Sequence, residues 1–229
     1  FKQHDLYSMP VVDHQKRVVG RITVDDVMDV IEEEAEEDLY KLSGLGEDER
    51  VFDPITKSVK GRLPWLTVNL FTALLAALTV SLFESTIQAL VVLAVFLPVV
   101  AGMGGNAGTQ TLTVITRGIA LGHLDWGGVK RVLVKELSLG FLNGLLLGIL
   151  TGAIAYLWKG MPLIGFVIFL AMIINLVVAG VFGALIPILL KTFKIDPAAA
   201  SSVIVTTFTD VIGFFSFLGI ATLLMKTML

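Results

Sequence analysis

Beyond residue 63 the chain is a succession of long apolar runs. Five can be drawn, at roughly 64–83, 86–116, 132–157, 163–190 and 197–225, each near or above the ~20 residues a helix needs to cross a bilayer. Residues 1–62 read differently, being charge-rich and soluble in character. Within them, 9–13 and 17–23 predict two short strands around a polar turn at His14, Gln15 and Lys16. Val27, Val30 and Ile31 then recur at helical spacing, with Thr23 or Asp25 placed to cap the helix. A strand, strand, helix unit of this size buries too little to fold alone, so it is expected to be the end of a larger soluble domain. No apolar stretch precedes Trp65, so no signal peptide is expected in these residues.

Composition supports the division: 55% of the 229 residues are hydrophobic and the mean hydropathy is +0.84. There is no cysteine, which excludes disulfide scaffolds, thiolate metal sites and cysteine nucleophiles. The net charge of −3 says little, but its placement is informative. Lys57, Lys60 and Arg62 precede the first run; Arg117, Lys130, Arg131 and Lys135 lie between the second and third; Lys191 and Lys194 lie between the fourth and fifth. The other connections carry only Lys159 and Lys226. Nine against two puts the N-terminal region in the cytoplasm and the C-terminus outside, as expected of a multi-pass protein of the plasma or inner membrane. No Gly-x-x-x-x-Gly-Lys loop is present, so ATP hydrolysis by this chain is not expected, nor is a nucleic-acid partner.

Two acidic features call for explanation. The first is Glu32, Glu33, Glu34, Glu36, Glu37 and Asp38, six carboxylates in seven residues on the predicted helix. Like charges at i,i+4 cost about 0.2–0.5 kcal/mol each, and a hard divalent cation would relieve them. A solvated acidic face is the ordinary account of such a run. Its position between a soluble module and the first span favours a cation-dependent contact with whatever the spans enclose.

The second is Asp210, near the centre of the fifth run, about 20 Å along a helix from its start. A carboxylate there costs about 2.5–3.5 kcal/mol on insertion scales and marks function by default. Ser202, Thr206, Asp210 and Gly213 share its helical face. In the second run, Pro98 is followed by Gly102, Gly104, Gly105 and Gly108 among Asn106, Thr109 and Gln110. Either this backbone is irregular or closely approached and presents carbonyl oxygens to a wet cavity, or the glycines are a packing motif. Gly140, Gly144, Gly148 and Gly152 form a packing ladder in the third run, and Asn143 and Asn175 read as interhelical hydrogen-bonders. With oxygen ligands alone on offer, the membrane site suits Mg²⁺, Ca²⁺ or Mn²⁺ over Zn²⁺ or Cu⁺. An intramembrane aspartyl protease needs two carboxylates; Glu84 and Glu136 read as lying toward the span ends, leaving Asp210 alone.

The motifs carry a family resemblance. "PVVD", "VVGRIT" and "VDDV", from Pro10 to Val27, resemble the closing half of a CBS domain. "VDDVMDVIEEEAEEDLYKL", "PVVAGMGGNAGTQ", "KRVLVKE" and "DPAAASSVIVTTFTDVIG" stand in the order found in MgtE magnesium channels, which the chain resembles. The resemblance implies an all-α polytopic membrane protein with five transmembrane helices per chain and a homodimeric pore. It divides the chain into the end of a CBS domain (1–31), an acidic plug helix and linker (32–62) and a pore domain (63–229). It makes Mg²⁺ the transported ion, with Asp210 as the pore carboxylate facing a hydrated ion, the backbones of Gly102, Gly105 and Thr206 as companions, and Asn106 nearby. It makes Asp25, Asp26, Asp29, Glu33, Glu36 and Glu37 candidates for a regulatory Mg²⁺ site that holds the pore shut. No catalytic residues are implied. A secondary transporter exchanging a divalent cation for H⁺ or Na⁺ is the alternative.

Overall fold

The computed structural model describes residues 1, 4–46, 49–124, 127–198 and 201–228. Residues 47 and 48 of the expected linker, and 199 and 200 of the expected fifth run, lie outside the described residues. Strands β1 (Ser8–Val12) and β2 (Val18–Thr23) pair antiparallel with a register shift between Val11 and Val12. Seven helices follow among the described residues: α1 (Val24–Leu42), α2 (Ile55–Ser81), α3 (Glu84–Ala89), α4 (Val92–Ala120), α5 (Val129–Lys159), α6 (Pro162–Thr192) and α7 (Ser201–Met228).

Thr23 begins α1, and Asp26 Oδ2 accepts from its N–H at 2.7 Å and its hydroxyl at 2.8 Å, which satisfies a donor that a helix start leaves orphaned. The hairpin ahead of it leaves Val12, Val18, Val19 and Ile22 exposed. Its apolar surface has no cover among the described residues.

Helices α2, α4, α5, α6 and α7 are each long and apolar enough to cross a membrane, so the chain is a polytopic all-α membrane protein. The second predicted run is divided. Its first residues form the short α3, and α4 begins only at Val92. The first span also starts earlier than its apolar run, since α2 carries Lys57, Lys60 and Arg62 in helical register from Ile55. Charge does not stop a helix where hydrophobicity stops.

Helix α6 is the centre of the bundle, with α4, α5 and α7 packed on it and α4 also on α7. Leu93, Val100, Ile164, Ile168, Met172, Leu176, Phe217 and Leu218 make its core. The glycine ladder of α5 does what its spacing predicts. A methyl on Gly144 would stand 2.7 Å from Ile173 Cα, and one on Gly152 2.7 Å from the Gly165 carbonyl oxygen. The α5 and α6 backbones therefore touch, and dispersion contacts replace the hydrophobic drive that lipid cannot supply. Helix α2 packs mainly on α7.

Candidate ion site

The glycine-rich stretch of α4 is continuous helix from Val92 to Ala120, Pro98 included. This corrects the expectation of irregular backbone with freed carbonyls. An unsatisfied peptide group in hydrocarbon is so costly that the ladder is kept; only the carbonyl four residues before Pro98 loses its donor. The glycines serve close approach instead. A methyl on Gly108 would stand 2.6 Å from Val205 Cγ1 and 3.7 Å from Thr209 Cγ2, and one on Gly105 3.8 Å from Thr206 Cγ2. Gly104 and Gly213 both lie against the Asn175 side chain.

These contacts set the levels along the two helices. Asp210 falls in sequence between Thr209, which meets α4 at Gly108, and Gly213, which meets Asn175 beside Gly104. Its turn therefore faces the part of α4 that carries Gly105 and Asn106. Asp210 is half-buried, and no hydrogen bond or ion pair to it occurs among the described residues. Gly105 and Thr206 are also half-buried; Gly102 and Asn106 are exposed, one turn apart on the outer face of α4. A methyl on Gly102 would meet nothing within 4 Å. The Thr206 hydroxyl donates to the Ser202 and Val203 carbonyls at 2.9 and 3.0 Å, leaving its lone pairs available. Gly105 and Thr206 thus meet where α4 and α7 pack, Asp210 stands one turn along α7 from Thr206, and Gly102 and Asn106 lie on the exposed side of α4.

The acids of α1 are arranged differently. Asp25, Asp29, Glu33 and Glu36 are exposed, and Asp26 is engaged at the helix start. Glu37 is half-buried and pairs with Lys41, whose ammonium also reaches Asp196 Oδ2 at 2.7 Å. No group of three or more His, Asp or Glu side chains able to hold a metal occurs among the described residues. Burial pushes the Asp196 carboxyl up, but hydrogen bonds from Lys41 and from the Ala198 N–H outweigh it and hold the group below the usual carboxylate range. Burial, then the nearby Asp196 charge, pushes Asp38 above it. Leu42 packs on the Leu112, Ile186 and Val205 cluster, so the end of α1 is docked on the bundle beside the start of α7.

Three residues gain from the structure a setting that the sequence leaves open. Asp196 stands in an Asp-Pro pair ahead of an apolar run, a helix-start signal that could have marked it. Glu136 is the one buried acidic residue among those described; Thr111 Oγ1 donates to its Oε2 at 3.0 Å and Lys135 Nζ lies 3.2 Å from Oε1. Asn175 bonds between helices as expected, its Nδ2 donating to the Val100 carbonyl at 2.6 Å. The slot around it has no signature in the local sequence. Asn143 lies on the exposed side of α5, bordering a cavity of about 170 Å³ that Glu136, Gln110 and Thr111 also line.

A family model described as MgtE, divalent cation transporter, matches residues 97–220. The magnesium transporter MgtE of Bacillus subtilis (strain 168) is 34% identical over 221 residues, which is 96% of this chain and 49% of that one. That of Thermus thermophilus is 37% identical over 226 residues, 97% of this chain and 50% of that one. That of Enterococcus faecalis is 34% identical over 225 residues, 98% of this chain and 49% of that one. The chain spans about half the length of these relatives. The matched stretch holds most of α4, all of α5 and α6 and most of α7, including every residue placed at the junction of α4 and α7, and this chain belongs to the MgtE family of divalent cation transporters.

Proposed function

We propose that this chain is the membrane part of a magnesium transporter, working as a homodimeric channel in the plasma or inner membrane with a cytoplasmic N-terminus and an external C-terminus. The observation that carries the reading is Asp210: a half-buried carboxylate in the middle of α7, without a hydrogen bond or ion pair among the described residues, level with the glycine turn of α4. A membrane carboxylate kept for packing is neutralised by a partner. One kept for a passing cation stays open on one side. Mg²⁺ releases its waters reluctantly, so the ion is bound hydrated, its water shell hydrogen-bonding Asp210 and oxygens of Gly102, Gly105, Asn106 and Thr206. A second copy across a two-fold axis brings two such carboxylates together. Downhill passage of two charges is worth about 4.6 kcal/mol at 100 mV, from about 2.3 per charge.

Closure is assigned to α1. Glu33, Glu36 and Glu37, with Asp25, Asp26 and Asp29, take up internal Mg²⁺ together with acids from the soluble domain that residues 1–31 complete. The Lys41–Asp196 ion pair at the docked end of α1 transmits that state to α7. Mg²⁺ uptake into liposomes at fixed membrane potential tests the permeation path. Asp210→Asn abolishes uptake while the protein still inserts; wild-type uptake in that variant removes the assignment. Uptake that collapses when an H⁺ or Na⁺ gradient is dissipated at constant voltage replaces the channel with a coupled transporter.

A further inference from the structure

We propose that Asn175 is a positioning residue for the ion site, a buried amide retained at the expense of fold stability because it sets the height of the α4 glycine turn against the Asp210 turn of α7. This rests on the reading of that junction as the ion path.

Asn175 is on α6 and fully buried. Its amide is held between two glycines: a methyl on Gly104 would come within 2.8 Å of its Cγ and Oδ1, and one on Gly213 within 2.9 Å of the same atoms. Two helices, α4 and α7, are thus cut to fit one side chain of a third. Packing alone does not require an amide there. The Oδ1 atom has no hydrogen-bond partner, and an orphaned buried acceptor destabilises a fold, whereas an apolar side chain of similar volume in the same slot leaves nothing unsatisfied.

What the amide does and an apolar residue cannot do is bond α4. Its Nδ2 donates to the Val100 carbonyl, the oxygen to which the Gly104 N–H points in the helical ladder. A second donor on that oxygen fixes the rotation and height of the turn bearing Gly102, Gly104 and Gly105. The same amide rests on Gly213, three residues beyond Asp210. Asn175 therefore gauges α4 and α7 against each other at the level of the candidate site. Helices related only by smooth glycine contact slide and rotate more readily than helices pinned by a hydrogen bond, and a displacement of about 1 Å is enough to spoil a bound geometry.

Two variants, Asn175→Ala and Asn175→Val, one smaller and one larger than asparagine, bracket the volume of the amide. In the reconstituted protein, at least one of them keeps or raises the thermal unfolding midpoint while Mg²⁺ uptake falls about tenfold. Because the chain has no cysteine, spin labels at Val114→Cys on α4 and Leu223→Cys on α7, both exposed positions, report the two helices directly; their distance distribution shifts or broadens in the better-folded variant. Wild-type uptake in that variant overturns the proposal. So does an unchanged label distance, or a lowered midpoint in both variants, since the amide is then a packing element. The functional reading fails separately, through wild-type uptake by Asp210→Asn, and the label distances still decide whether Asn175 pins the two helices.

Discussion

The contact between Gly108 and Val205 predicts how much room the site has. In Gly108→Ala the new Cβ would lie 2.6 Å from Val205 Cγ1, at least 0.8 Å short of the 3.4 Å where ordinary contact begins. Val205 cannot turn aside, because it is fully buried and a β-branched residue on a helix has one strongly preferred rotamer. The helices must part instead. Gly105→Ala, one turn earlier, places its Cβ 3.8 Å from Thr206 Cγ2, an ordinary contact. Both variants gain the same helix propensity, about 0.8–1.0 kcal/mol, so that gain cancels between them. The difference left is the overpacking cost, about 1–3 kcal/mol. Equilibrium unfolding of the two purified variants under the same denaturant series measures it. Gly108→Ala is less stable than Gly105→Ala by that amount, and adding Val205→Ala to Gly108→Ala recovers part of the loss by removing the clashing methyl. Equal stability of the two single variants, within about 0.3 kcal/mol, would show that α4 and α7 do not meet as described and would remove the basis for setting Asp210 level with Gly105.

Three further outcomes follow from the same geometry. The Thr111–Glu136 hydrogen bond links α4 to α5 beside a polar cavity; Glu136→Ala and Thr111→Val each cost about 1.5–3 kcal/mol of unfolding free energy, and a double-mutant cycle shows their losses to be non-additive, whereas additive losses would mean the bond does not form. Asp38 has a raised pKa in the folded chain, so the folded state holds its proton more tightly and the docking of α1 strengthens as pH falls from the folded value toward the unfolded one near 3.8. Asp38→Asn should flatten that segment of a stability-against-pH curve and strengthen docking at neutral pH; an unchanged slope would mean that neither burial nor Asp196 perturbs Asp38. Lys41→Met removes the tie to Asp196; with both side chains partly exposed, global stability changes by less than about 1 kcal/mol, while labels on α1 and α6 report release of the α1 end.

The five spans are legible in the sequence because about 20 consecutive apolar residues have few other uses in a chain. The start of α2 is not, because Lys57, Lys60 and Arg62 are compatible with helix and only hydrophobicity marks the bilayer. The α5 ladder is legible in detail, since a glycine every fourth residue leaves one smooth face. The same residue type misleads in α4. Four glycines after Pro98 suggest broken helix, but propensity is a weak prior and the bilayer forbids unpaired peptide groups. Asp210 can be found as the one carboxylate deep in a run. Glu136 cannot be told from a residue at a span end, because its burial depends on how α4 and α6 close over it. The acidic run of α1 announces charge but not partners: Lys41 reaches Asp196 across 155 positions of sequence, a contact no local pattern encodes.

Helix α6 supplies the argument that joins packing to permeation. It offers no candidate ion ligand, yet glycines and an asparagine on it seat the helices around the site. Gly180 meets the Glu136 backbone, Gly183 meets Gly108 and Thr111, and Asn175 meets Gly104 and Gly213. Closeness of this kind is unforgiving, since backbone cannot rotate away as a side chain can. The α4–α7 junction is therefore set by a central post with little play, while α2 rests chiefly on α7 and α1 reaches the bundle through Leu42 and the Lys41–Asp196 pair. A site that recognises a hydrated ion through its water shell needs fixed oxygens, and a gate needs a part that can leave. On the proposed reading the chain separates the two: rigidity is concentrated where Asp210 stands, and the weakest attachment lies in the acidic helix that responds to the ion.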